Sequence, residues 1–311
     1  MAILVAADFS DAEWAAWWPL LRAALPQEVL VREHGALPAH EIDIAIVANP
    51  PAGSLRGLPG LRLIQSLWAG VERLLADTSV PADVPIARMV DPAMADAMVQ
   101  TALWAVLSLQ RDFFGYAAQQ RAAVWQALPL RRADELTVAV LGLGEMGRAV
   151  ARCFARHGYH VLGWSRGAVA LDGVETHAGA SALPQVLAQA HVVVNLLPQT
   201  PATRSLFDAN TIAQMRRGAS LVNLARGAHV VDADLLAALD SGHLQRAVLD
   251  VYATEPLPAQ HRYWSHPSVT VLPHVAAPTD PRSAAPIAAR NVIALRDGRQ
   301  LQHLVDRARG Y

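Results

Sequence analysis

Three side chains of reactive type stand just beyond runs that read as β-strands: Arg226 after SLVNLA, Glu255 after AVLDVYAT and His274 after VTVLP. In open parallel α/β sheets, ligands sit outside the carboxyl ends of the strands, so residues placed there can meet on one edge although far apart in sequence. Each alone has an ordinary reading: a lone Arg is usually a surface group, a Glu can start a helix, and a lone His is often a satisfied structural group. Together they suit reduction of a carbonyl that carries a neighbouring carboxylate. A protonated imidazole can donate a proton near neutrality, and a carboxylate on its other nitrogen favours the imidazolium and fixes the ring. A guanidinium clamps a substrate carboxylate and stabilises charge growing on the carbonyl oxygen. On this reading His274 is the general acid, Glu255 its partner and Arg226 the clamp, with no metal required.

The electron source is indicated by TVAVLGLGEMGRAVARCFARHG (137–158), where Gly142-x-Gly144-x-x-Gly147 directly follows a strand-like run. The first glycine permits a tight turn, the second lets backbone approach a pyrophosphate, and the third lets helix pack on strand, with helix N–H groups and dipole holding the phosphates. The helix is expected to end at Gly158. Met146, Val150, Cys153 and Phe154 recur on one face that should dock on the sheet, which makes Cys153 a core residue. NAD-binding folds usually place an acidic residue about 20 positions past the glycines to accept from the ribose hydroxyls. Trp164-Ser165-Arg166 stands there instead. A guanidinium and a hydroxyl bind a 2′-phosphate that a carboxylate would repel, so NADPH is predicted, with NADH weaker; the plain alternative is an Arg166 that is simply solvated.

The elements that must position these groups are legible as alternating strands and helices. Strands are predicted at Ile3–Ala6, Ile42–Ala48 and Leu61–Leu67, with a helix over Asp11–Leu25, and then at Thr137–Leu141, His160–Trp164, Val192–Leu197, Ser220–Leu224, Ala247–Val251 and Val269–Leu272. Pro92–Gln110 reads as a long apolar helix that buries most of its circumference and carries the chain into a second domain. The expected fold is α/β with two Rossmann-like domains of doubly wound parallel sheet: a flavodoxin-like substrate domain, 1–100 with 280–311, and a dinucleotide-binding domain, 101–279. Four prolines in PHVAAPTDPRSAAP are expected to break any helix there before an Arg-rich helical tail. ADLLAALDSG should begin with Asp232 and Asp234 near its N-terminus.

Composition narrows the classes. A chain of 311 residues predicts about two domains at roughly 150 each, and 53% hydrophobic with 17% charged residues excludes disorder. All 26 basic residues are Arg against 27 acidic ones, so no basic field exists for nucleic acid or anionic lipid, and Schiff-base, P-loop and catalytic lysines are excluded. One cysteine permits no internal disulfide, no apolar run approaches about 18 residues, and the start lacks a basic n-region, so the cytoplasm is the expected location.

The string SLWAGVERL (66–74), RMVDPAMADAMV (88–99), VLGLGEMG (140–147), GWSRG (163–167), NLLPQTPATRSLF (195–207), LVNLARGAHVVDADLLAALDSG (221–242), AVLDVYATEPLP (247–258) and PHVAAPT (273–279) resembles the D-isomer-specific 2-hydroxyacid dehydrogenases, within them the glyoxylate/hydroxypyruvate reductase A branch. The resemblance covers nearly the whole chain. It implies a cytosolic homodimer, formed through the helix at 92–110, that reduces glyoxylate to glycolate and hydroxypyruvate to glycerate. The first domain plus the tail would then be the substrate-binding domain, closing over substrate with the second. Arg226, Glu255 and His274 match the family's catalytic positions, and the N–H groups of Ala69 and Gly70 match the loop that receives the substrate carboxylate. Cofactor contacts are implied for Gly142, Gly144, Met146, Gly147, Ser165, Arg166, Leu197, Pro198, Thr203 and Ala225, with Asp250 near the nicotinamide carboxamide. Gln100 replaces a frequent Glu, and Trp68 a frequent small residue, so both bear on pocket size; Trp264 either shades the pocket or packs. His261 and His266 read as surface or structural. The rivals are a dehydrogenase for a bulkier keto acid and a non-enzymatic NAD(P)H-sensing protein. The lysine-dependent β-hydroxyacid dehydrogenases share the glycine turn but should begin with it and carry a Lys.

Overall fold

Aliphatic and β-branched runs form twelve strands, all parallel, in two sheets of the computed structural model, which describes residues 1–311. The chain divides into two units, Met1–Met94 with Thr279–Tyr311, and Ala95–Pro278.

In the first unit β1 (Ala2–Ala7), β2 (Val29–Val31), β3 (Ile42–Ala48), β4 (Leu63–Ser66) and β5 (Ile86–Ala87) lie in the order β2-β1-β3-β4-β5. That is the flavodoxin-like doubly wound order. β3 is buried along its whole length, as a strand covered on both faces must be, and reads as a nearly continuous apolar run. The edge strands β2 and β5 were not legible because three and two residues carry no periodic signal. α1 (Asp11–Ala24) opens with a capping box in which the Ser10 N–H donates to the Glu13 carboxylate and the Glu13 N–H donates to the Ser10 hydroxyl. α2 (Glu72–Ala76) follows the loop after β4.

α3 (Pro92–Gln110) carries the chain from one unit to the other and leads to α4 (Phe113–Arg121). By length and composition α3 is apolar enough to cross a membrane, yet its Met98, Ala102, Ala105 and Val106 belong to the core of the second unit. The expectation that it buries most of its circumference is corrected: about a third is buried, and Trp104 and Leu107 are exposed.

The second sheet contains β6 (Thr137–Leu141), β7 (His160–Ser165), β8 (Glu175–Ala178), β9 (Val192–Asn195), β10 (Ala219–Asn223), β11 (Leu244–Leu249) and β12 (Val269–Val271), ordered β12-β11-β10-β9-β6-β7-β8. The strand order reverses between β6 and β9, the dinucleotide-binding switch point of a Rossmann sheet. α5 (Glu145–Arg156), α6 (Leu183–Gln189), α7 (Ala209–Gln214) and α8 (Asp232–Asp240) complete this unit. On α5, Val150, Ala151, Cys153 and Phe154 are buried, and burial pushes the Cys153 thiol up.

α9 (Pro281–Arg296) overturns the reading of its prolines as breakers. Pro281 occupies the first turn, where no N–H is needed, and the Asp280 carboxylate caps it by accepting from the Arg282 N–H. Pro286 forgoes one helical hydrogen bond, offset by burial of Ala284, Ala285, Ala288, Ala289 and Val292.

Candidate active site

Because every strand of the second sheet runs the same way, the segments leaving β6, β7, β9, β10, β11 and β12 emerge on one edge. Gly142, Ser165 with Arg166, Leu197 with Pro198, Arg226, Glu255 and His274 are all on those segments. The structure therefore brings the dispersed polar groups onto the edge that the sequence indicated.

The imidazole and the carboxylate form a short pair, with 2.7 Å between His274 Nδ1 and Glu255 Oε2. Glu255 Oε1 accepts from the Tyr252 N–H at 2.9 Å, so both carboxylate oxygens are fixed. The Glu255 hydrogen bond raises the His274 pKa above its ordinary value; burial opposes this, the Glu255 and Asp250 charges add to it, and the Arg226 charge works against it. Burial by itself would raise the Glu255 carboxyl, but the His274 hydrogen bond, the Tyr252 N–H and the charges of His274 and Arg226 bring it net below its usual range. Nδ1 is thus the proton-bearing nitrogen held by the carboxylate, and Nε2 is the nitrogen left for a reacting group. His274 has a left-handed backbone, φ 54°, uncommon for a non-glycine residue.

Asp250 accounts for that conformation. Its backbone oxygen accepts from the His274 N–H at 2.9 Å, and its buried carboxylate accepts from the N–H groups of Val275 (2.7 Å) and Ala276 (3.0 Å). Asp250 thus builds the turn that presents the ring, a role the residue pattern alone did not show. Burial raises its pKa, against the pull of those two amides.

Arg226 is placed by a buried polar lattice that sequence reasoning missed. Asn223 Oδ1 accepts from Asn195 Nδ2 (2.9 Å) and from the Ala225 N–H (3.3 Å), while Asn223 Nδ2 donates to the Arg226 carbonyl (3.0 Å). Asn195 Nδ2 also donates to Nδ1 of the fully buried His229 at 2.8 Å. The available signal was two Asn residues ending two apolar strands, where Asn is otherwise disfavoured. Gly227 lets the Arg226 loop approach closely, since a Cβ there would lie 1.8 Å from the Tyr252 carbonyl carbon.

The glycine turn has the form a dinucleotide requires. Gly142 takes φ 100°, and a Cβ on Gly147 would fall 1.7 Å from the Gly142 oxygen, so helix and turn are in backbone contact. A Cβ on Gly144 would meet nothing within 4 Å, and no side chain caps α5. An uncapped helix N-terminus beside an open glycine surface fits a pyrophosphate. Met146 is half-buried against the core behind the turn. Ser165 and Arg166 lie past β7, the Ser165 hydroxyl donating to the Gly167 carbonyl at 2.8 Å. Thr203 donates its hydroxyl to the Pro198 carbonyl at 2.8 Å and accepts from the Thr200 N–H at 2.8 Å, closing the loop after β9.

Ala69 and Gly70 leave the carboxyl end of β4 in the first unit. Trp68 anchors them, its N–H donating to the Ser66 hydroxyl at 3.0 Å and its carbonyl accepting from Met89 N–H at 3.0 Å. The Trp68 ring, which sequence could not place, stands edge-on to Phe9 and Trp17 with centroids 6.1 and 5.9 Å away. Trp264 is exposed and donates its indole N–H to the Pro258 carbonyl at 3.0 Å. His261 and His266 pair with Asp232 and Asp240 at 3.4 and 3.1 Å, and Asp234 accepts from the Ala209 N–H.

A Rossmann sheet whose cofactor edge also carries an imidazole–carboxylate pair within the field of a guanidinium describes a nicotinamide-dinucleotide dehydrogenase. Comparison with known proteins makes that specific, and the chain belongs to the D-isomer specific 2-hydroxyacid dehydrogenases: the NAD binding domain of that family matches residues 103–276. It is 36% identical over 300 residues to glyoxylate/hydroxypyruvate reductase A of Yersinia enterocolitica, covering 95% of this chain and 96% of that protein. A D-isomer specific 2-hydroxyacid dehydrogenase of Xanthobacter autotrophicus Py2, solved with NADPH and MES, superposes with a TM-score of 0.94 at 39% identity over 100% of this chain and 99% of that one. The NADPH-dependent glyoxylate/hydroxypyruvate reductase of Sinorhizobium meliloti, solved with NADP and sulfate, gives 0.93 at 33% identity, again over 100% and 99%.

Proposed function

We propose that this enzyme is an NADPH-dependent reductase of small 2-keto acids, with glyoxylate and hydroxypyruvate the favoured substrates. The observation that carries the reading is the His274–Glu255 pair at 2.7 Å, on the sheet edge shared with Arg226 and the glycine turn. NADPH, when bound, supplies hydride to the carbonyl carbon. His274 Nε2 gives its proton to the carbonyl oxygen while Glu255 holds Nδ1–H and stabilises the imidazolium. Arg226 binds the substrate carboxylate and offsets the negative charge that develops on that oxygen. The N–H groups of Ala69 and Gly70, which donate to no group of the protein, are assigned to substrate binding. Ser165 and Arg166 are assigned to the 2′-phosphate, and Gly142, Gly144, Met146 and Gly147 to the pyrophosphate. Leu197, Pro198, Thr203 and Ala225 are assigned to the walls of the cofactor cleft, and Asp250 to the edge near the carboxamide.

The substrate names rest on the two reductases to which the chain is similar. A panel of short 2-keto acids assayed with NADPH and NADH tests them. Turnover of glyoxylate and hydroxypyruvate with NADPH, abolished in His274→Ala, is the expected result; a preference for larger keto acids, for NADH, or activity indifferent to His274 rejects it. The same reading takes the enzyme as a cytoplasmic homodimer. Exposed Trp104, Leu107, Phe113, Trp125 and Leu130 on and after α3 give an apolar surface suited to burial in a partner copy. A monomeric mass in solution would reject that part.

A further inference from the structure

At the opposite edge of the second sheet, where the strands begin, lies a cavity of about 440 Å³. Its wall includes Arg131 ahead of β6, His191 at the entry to β9, Arg216 and Arg217 before β10, Gln245 on β11 and Ser268 before β12. No Asp or Glu lines it. Some surface guanidinium groups lean on a nearby carboxylate, as Arg262 does on Asp240 at 3.1 Å and Arg299 on Asp297 at 2.7 Å. Arg131, Arg216 and Arg217 form no such pair, although they converge on one cavity. Their repulsion is felt within it: burial first, then the charges of Arg216 and Arg131, lower the His191 pKa. The ring accepts the Thr137 N–H on Nδ1 at 3.0 Å, so its proton stands on Nε2 and the ring is a neutral donor.

The loop bearing two of the arginines is held in place. The Ala219 N–H donates to the Arg216 carbonyl at 2.9 Å, Gly218 takes φ 80°, and its N–H donates to the His243 carbonyl at 2.7 Å. A concave site of this volume, with three unpaired guanidinium forks, a neutral imidazole, a hydroxyl and an amide, is complementary to concentrated negative charge. We propose that this cavity binds a compact polyanion carrying phosphate or clustered carboxylate groups, at a site separate from the one that performs catalysis.

Calorimetric titration of the protein saturated with NADP, at constant ionic strength, tests this with inorganic pyrophosphate in one arm and citrate in the other. Saturable binding in either arm, weakened about tenfold or more in Arg216→Gln/Arg217→Gln, is expected, and the arm that binds identifies the anion class. The anion should also raise the His191 titration midpoint, followed by NMR and assigned with His191→Asn. Arg131→Gln supplies an independent weakening should the double variant fail to fold. Absence of saturable binding in both arms, or binding undiminished by these substitutions, overturns the proposal.

Discussion

The single contact from which most of the proposed chemistry follows is the 2.7 Å pairing of His274 with Glu255. Because the carboxylate stabilises the imidazolium, the His274 pKa is raised above its ordinary value, and on the proposed reading the acid for reduction persists to higher pH than a free imidazole would allow. The sign follows directly: kcat/KM for reduction is full below the raised pKa and falls as pH rises through it. Glu255→Gln removes the first cause of the shift, so the alkaline limb should move to lower pH, with a smaller rate at neutrality. A limb that stays in place would show that Glu255 does not tune the ring. Arg166 supports a second prediction of the same kind. Arg166→Gln should narrow the preference for NADPH over NADH by about tenfold, by raising KM for NADPH and leaving kcat with NADH unchanged. Equal loss with both cofactors would assign Arg166 to packing.

At the scale of elements, the strand ends determine where these side chains point. Asn195 and Asn223 end β9 and β10 and tie the segments carrying Leu197 and Arg226 to each other, while Asp250 directly follows β11 and fixes the turn that bears His274. Asn223→Ala would leave the Ala225 N–H and the Arg226 carbonyl without their partner, at a cost of about 1–3 kcal/mol for each buried group. The expected result is a kcat/KM about tenfold lower, in KM more than in kcat, with the alkaline limb unmoved because the His274–Glu255 pair remains. A displaced limb would instead mean that the lattice reaches the imidazole. Parts of this architecture were legible in sequence and parts were not, for physical reasons. β3 and α3 match their predicted ranges because long apolar or periodic runs outweigh local noise. Arg226, Glu255 and His274 could be singled out only as a set, because three reactive side chains just past parallel strands fall on the edge where such sheets bind ligands. The Asn195–Asn223–His229 lattice stayed hidden because a buried amide is explained only by the partners that the fold brings to it. Pro286 misled because helix propensity is a weak prior against burial of an alanine face.

On the scale of the whole molecule, the chain forms most of one unit, builds the second without interruption, and returns at Thr279 to complete the first. The return is secured by Arg296 at the end of α9, which forms a two-pronged pair with Glu28 at 2.8 Å on both prongs and also binds Asp43 on β3. Asp43 is 2% exposed, and its second guanidinium neighbour, Arg62, is more distant, at 3.9 Å. These carboxylates raise the Arg296 pKa further, Glu28 first and Asp43 next. Removing one partner of a buried pair strands the other charge, typically at about 3–5 kcal/mol. Arg296→Met should therefore lower the thermal stability of the first unit, and restoring neutrality with Asp43→Asn should recover part of the loss. Hydrogen exchange locates the effect: amides of Ile42–Ala48 and of α9 should lose protection while those of β6, β9 and β10 keep theirs. Protection lost evenly across both sheets would show instead that the two units unfold as one cooperative body, and that Arg296 stabilises the whole chain.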